Sequence, residues 1–224
     1  MNIEKNDVPA ERQTKKDYYC EIVDNGGKLN VLFVGNSITF HGEKHDIGWF
    51  NNWGMAASAK ENDYVHVTVK LLEEKFGKIN YCVANCGKWE INYFDEHIID
   101  NWQVPRDFGA DVVIIRLGEN SVHAKDKFGE VPYAERYAEM VKFFAVKPTA
   151  KIIATGMFWR HDYLSKEIEK AAKENGFIYV PLEDLGDKEE NMAIGQFEHK
   201  GVAMHPNDLG MRRIAERIFK AVEK

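Results

Sequence analysis

At 224 residues, with 44% hydrophobic and 29% charged side chains, the chain has an ordinary globular composition and length enough for one sizeable core. A net charge of −6 argues against a nucleic-acid partner, whose phosphates select basic surfaces, and no apolar run approaches the length of a membrane span. The cysteines Cys20, Cys82 and Cys86 are an odd, sparse set, and the first residues hold no apolar signal segment, so the expectation is reduced thiols and a cytoplasmic location.

Residues 1–28 are polar apart from Tyr18, Tyr19, Ile22 and Val23, an arm able to add a short edge strand before the turn at Asn25-Gly26-Gly27. Leu29 to Gly35 is the first core strand, four apolar residues bounded by a glycine. Residues 40–62 then form a long segment with His41, His45, Asp46, Trp49, Phe50 and Trp53; loops of this length in a compact domain are often functional. Gly54 to Lys60 is a candidate short helix. Asp63 stands as an N-cap before Val65, Val69, Leu72 and Phe76 at helical spacing, although Val-His-Val-Thr-Val also alternates as a strand would. Ile79, Tyr81 and Val83 predict a second strand, closed by Asn85-Cys86-Gly87, and residues 89–101 predict a helix.

Asp111 to Leu117 is the clearest strand, closed by Gly118-Glu119-Asn120-Ser121. A helix from Tyr133 to Val146 has Pro132 near its start. Lys151 to Thr155 is the fourth strand, Asp162 to Glu174 a helix ended by Gly176, and Phe177 to Val180 the fifth strand. After an irregular stretch over 183–204, a last helix from Pro206 to Val222 carries Met211, Ile214, Ala215, Ile218, Phe219 and Val222 on one stripe. Strands alternating with helices predict the α/β class, a mostly parallel five-stranded sheet covered on both faces within one domain over residues 29–224.

In such a sheet the strand ends gather on one edge, where ligands bind. Three ends carry small polar motifs, Gly35-Asn36-Ser37, Asn85-Cys86-Gly87 and Gly118-Glu119-Asn120, and His205 precedes the last helix. Ser37 is either a nucleophile or a plain helix N-cap. A histidine has a near-neutral pKa suited to taking a hydroxyl proton, and its place before a helix N-terminus favours the neutral form. Backbone N–H groups at a glycine and an asparagine amide are what an oxyanion needs.

These blocks resemble those of the SGNH hydrolases, the GDSL-type esterases and lipases. Gly35-Asn36-Ser37-Ile38-Thr39 is similar to the first block, Gly87 to the second, Gly118-Glu119-Asn120 to the third and His205-Pro206-Asn207 to the last, over about residues 30–222. The resemblance implies a flavodoxin-like three-layer sandwich and a serine esterase acting on short acyl esters, with acetylated sugars a plausible substrate. By position, Ser37 would be the nucleophile and His205 the general base. Ser37, Gly87 and Asn120 would form the oxyanion hole. It implies no cofactor and no metal, and as partner a small-molecule ester, with no nucleic acid, no membrane, and scope for a homo-oligomer.

Two departures stand out. Asn36 occupies a position where the family usually has Asp. Val202 stands three residues before the histidine, where the family usually has the Asp that orients it. A backbone carbonyl near Val202 or Ala203 could hold the imidazole, a carboxylate such as Asp184, Asp187 or Glu198 could substitute, or the site could be a weak or inactive binding pocket.

Other residues have two readings each. Trp49, Phe50 and Trp53 either wall a pocket or pin the loop. Trp49 and Glu119 are candidate substrate contacts, although for Glu119, as for Glu90, a plain salt bridge is the favoured reading. His41, His45, Asp46 and His66 match no standard metal spacing, and Cys82 and Cys86 read as core residues.

Overall fold

The computed structural model describes residues 19–224, so most of the N-terminal arm, Tyr18 included, lies outside the described residues. In chain order the elements are β1 (Cys20–Val23), β2 (Leu29–Gly35), α1 (Tyr64–Phe76), β3 (Ile79–Asn85), α2 (Gly87–Ile91), α3 (Gln103–Asp107) and β4 (Val112–Arg116). There follow α4 (Tyr133–Phe144), β5 (Lys151–Thr155), α5 (Asp162–Asn175), β6 (Ile178–Val180), α6 (Glu183–Gly186), α7 (Lys200–Ala203) and α8 (Asp208–Val222). The sheet has six strands in the order β1-β3-β2-β4-β5-β6. All neighbours are parallel except β1, which runs antiparallel to β3 from Cys20↔Ala84 to Val23↔Tyr81.

The sheet thus has one strand more than the five expected. The extra strand, β1, is the short edge strand that the arm is able to add; it is four residues long and paired on one side only.

β2 lies at the centre because both its faces are apolar. Val31 and Phe33 pack with Val65, Val69 and Leu72 of α1 and with Ile214 and Ile218 of α8. Leu32 and Val34 pack on the other face with Tyr137 and Val141 of α4 and Leu164 and Ile168 of α5. Two helical layers therefore enclose the sheet, and each buries one amphipathic stripe.

Local chemistry decides the ambiguous segments. Asp63 accepts from the His66 N–H at 2.8 Å, and this cap makes Val-His-Val-Thr-Val the start of α1 rather than a strand. Gly54 to Lys60 forms no helix; only a 3₁₀ turn at Lys60–Asn62 follows it. The expected helix over 89–101 is broken. Asn92 Nδ2 donates to the Lys88 carbonyl at 2.9 Å and Asp95 accepts from the His97 N–H at 2.9 Å. Such side-chain bonds compete with the helical ladder, so α2 stops at Ile91 and a 3₁₀ turn resumes at Ile98–Trp102. α8 starts after Pro206, capped by Asn207, which accepts from the Gly210 N–H at 3.0 Å.

The chain steps from β2 to β3 on one side and reaches β4 on the other. This reversal opens a crevice at the carboxyl ends of β2 and β4. Ser37 follows the first of these strands and Asn120 the second.

Candidate active site

Ser37 sits on a turn that leaves the core at once. The Asn36 carbonyl accepts from the N–H groups of Thr39 (2.9 Å) and Phe40 (3.0 Å), which closes the turn under the serine. Gly35 is required here, since a Cβ would collide with the Thr39 side chain. The Ser37 Oγ lies 2.9 Å from His205 Nε2.

His205 is held from behind by one helical turn. α7 brings the Gly201 carbonyl to 2.7 Å from Nδ1. A carbonyl can only accept, so Nδ1 carries the proton and the Nε2 lone pair faces Ser37. The edge of Trp159 packs on the ring at 5.0 Å between centroids. Burial pushes the His205 pKa down, and the Arg116 charge adds to this against the Gly201 bond, to about 4.

None of the carboxylates offered as the alternative partner is hydrogen-bonded to the imidazole. Asp184 pairs with Arg217 (2.7 Å) and Asp187 with Arg160 (2.9 Å), while Glu198 is exposed. The orienting group is a backbone carbonyl near Val202, the first of the three alternatives, and it belongs to Gly201. Val202 itself is buried against Trp49, Met55 and Ala56.

The structure brings Gly87 and Asn120 to the same cavity as Ser37 and His205, a space of about 930 Å³. The Gly87 N–H donates to Asn85 Oδ1 at 2.9 Å. Asn120 Nδ2 donates to Glu90 Oε2 at 2.6 Å, which leaves its second N–H for another acceptor. The Ser37 N–H has no acceptor among the described residues.

Two predicted contacts do not reach the cavity. Trp49 is 0% exposed; its Nε1–H donates to the His41 carbonyl at 3.0 Å and its ring packs against Trp53 and Phe197. It pins the 40–62 loop rather than walling the site. Glu119 is 8% exposed and bound to Arg116 at 2.7 Å, so it serves beneath the floor and not as a substrate contact.

Under that floor lies a buried network that sequence reasoning underestimated. Asn36 Oδ1 accepts from Arg116 Nη2, while its Nδ2 donates to Glu119 Oε2 (2.8 Å) and Glu90 Oε1 (3.0 Å). Glu90 also accepts from the N–H groups of Gly118 (2.7 Å) and Asn120 (3.3 Å). Burial, then the nearby Glu119 charge, raise Glu90 to about 7. Burial works to raise Glu119, but the Arg116 charge, together with the hydrogen bonds from Arg116 and the Phe158 N–H, outweighs it and holds the pKa down. The overlooked residue was Arg116. Its signal was a cation in an otherwise apolar strand, two residues before Gly118-Glu119-Asn120.

Among the described residues no group of three or more His, Cys, Asp or Glu is placed to hold a metal ion, and no helix is long and apolar enough to cross a membrane.

No family model matches the sequence, and no curated protein matches it. Solved structures do match. A GDSL-like lipase, so described, from Parabacteroides merdae superposes with a TM-score of 0.57 at 20% identity, over 88% of this chain and 96% of that one. An acetyl xylan esterase, AlAXEase, gives 0.54 at 18% identity, over 87% of this chain and 100% of its own. A two-domain esterase active on acetylated mannans gives 0.55 at 17% identity, over 87% of this chain and 49% of that one. The chain has the fold of the SGNH, or GDSL-type, hydrolases.

Proposed function

We propose that the protein is a serine esterase that hydrolyses short acyl esters, acetyl esters of carbohydrate alcohols above all. The observation that carries this reading is the Ser37–His205–Gly201 relay, with a hydroxyl 2.9 Å from a nitrogen whose opposite N–H is fixed 2.7 Å from a carbonyl. Two of the fold neighbours are esterases of acetylated polysaccharides, which supports the choice of acyl group and alcohol.

In this reading Ser37 Oγ attacks the ester carbonyl carbon as its proton passes to His205 Nε2. The tetrahedral oxyanion takes the free Ser37 N–H, the second N–H of Asn120, and the Gly87 N–H as it leaves Asn85 Oδ1. The Nε2–H then protonates the departing alcohol, and the acyl group stays on Ser37. Water attacks that ester with His205 again as base and releases the acid. A carbonyl stabilises the imidazolium less than a carboxylate would, so a dyad of this kind runs slower than a full triad.

Intact mass after treatment with a fluorophosphonate tests this directly. One adduct on the wild type, absent in Ser37→Ala, is the expected result. A folded wild-type protein that takes no adduct overturns the nucleophile assignment.

A further inference from the structure

The chain carries more acids than bases, 36 against 30, yet the cavity around Ser37 reverses that balance. Lys44, Lys88 and the imidazoles of His41, His123 and His199 line it beside His205, and among the described residues no Asp or Glu does. These residues come from separate segments. Lys44 belongs to the 40–62 loop, where its backbone is fixed by bonds in both directions with Trp49 (2.7 and 3.2 Å). Lys88 follows Gly87 in the first turn of α2, His123 lies on the turn after β4, and His199 caps α7.

Lys60, Lys127 and Lys147 each pair with a carboxylate, whereas among the described residues Lys44 and Lys88 have no ion-pair partner. The two carboxylates beneath the floor do not offset them at the surface, because Glu119 is bound to Arg116 and Glu90 is turned to buried N–H donors. A cleft lined by one sign of charge focuses its field and concentrates ligands of the opposite sign.

We propose that this cavity selects esters whose alcohol portion carries an anion, a carboxylate or a phosphate monoester, placed between Lys44 and Lys88. The inference rests on the esterase reading above. It adds a specificity that a neutral acetylated sugar would not use. The acyl group is small, so the charge belongs to the alcohol, which fills the rest of the cavity.

Three acetyl esters of one phenol scaffold test it: 3-(4-acetoxyphenyl)propanoate, its neutral amide, and 2-(4-acetoxyphenyl)ethyl phosphate. The charge lies beyond a two-carbon spacer, so the leaving phenol keeps its reactivity. At low ionic strength kcat/KM for an anionic ester is expected to exceed that for the amide about tenfold, and the ratio should fall toward one in molar salt. Whether the carboxylate or the phosphate is faster identifies the anion. In the double variant Lys44→Met, Lys88→Met, with folding checked by circular dichroism, the ratio should also collapse toward one.

Equal rates on charged and neutral esters, or a ratio that survives the double substitution, overturn the inference and leave the esterase reading intact. If no ester is turned over and Ser37 takes no fluorophosphonate, the esterase reading fails by itself. Calorimetric titration with 3-(4-hydroxyphenyl)propanoate and its amide then decides the anion site. Binding of the anion alone upholds it, and equal or absent binding overturns it.

Discussion

At the scale of single residues, the behaviour of His205 follows from what surrounds it. Desolvation and the Arg116 charge hold its pKa near 4, below the ordinary imidazole value of 6.5. A lowered pKa keeps Nε2 unprotonated, and so able to act as base, at every pH above that value. The expected kcat/KM profile therefore stays flat from pH 7 down to about pH 5 and loses activity through about pH 4. Rates on an uncharged acetyl ester across this range check it, and an acid limb centred at 6.5 would show an ordinary solvated imidazole. The serine and the histidine were legible in the sequence because each stands in a short motif at a chain reversal. The histidine's partner was legible only as one of several alternatives, a carbonyl near Val202 among them, because a main-chain carbonyl has no letter of its own. Gly201 is visible as an acceptor only once α7 has formed around it.

At the scale of elements, the ends of β2, α2 and β4 are tied by the side chains of Asn36, Glu90, Glu119 and Arg116. Position 36 must accept from a guanidinium and donate to two carboxylates, and only an amide does both. This gives the departure from the family's usual Asp a physical cause. Glu90 already supplies a second buried acid, and an Asp at 36 would set three around one cation. Asn36→Asp is expected to cost about 3 kcal/mol in urea unfolding, the range for an uncompensated buried charge. Adding Glu90→Gln should return about 1 kcal/mol or more of that loss, because neighbours in one network couple. Strict additivity of the two substitutions would refute the shared network.

The strands and long helices of this region were legible from apolar period and from caps such as Asp63 and Gly176. The segment over 89–101 was not, because Asn92 and Asp95 bond locally and override the period. The network was only partly legible. Glu119 and Glu90 were weighed as salt-bridge residues, but their shared contact with Asn36 spans 54 and 83 positions of sequence.

At the scale of the molecule, the doubly wound order puts every piece of the site on one rim, and the alternation of strands and helices predicted that layout. The sixth strand, legible only as a short apolar cluster in the arm, has a consequence for how copies of the chain meet in solution. β3 holds Tyr81, Cys82, Val83 and Ala84, all buried, in a seven-residue ladder. β1 is what occupies its outer side, with Glu21 at a half-buried to exposed margin paired to Lys60. The opposite edge, β6, is only three residues long. A chain deprived of residues 1–24 would present β3 as a long, bare, apolar border with its N–H and C=O groups open. Such borders recruit strands from other molecules. That shortened protein is expected to elute as higher-order species in size-exclusion chromatography and to precipitate on mild warming, while the intact chain stays clear. β1, at the end of the polar arm, is thereby a built-in guard against cross-β self-association.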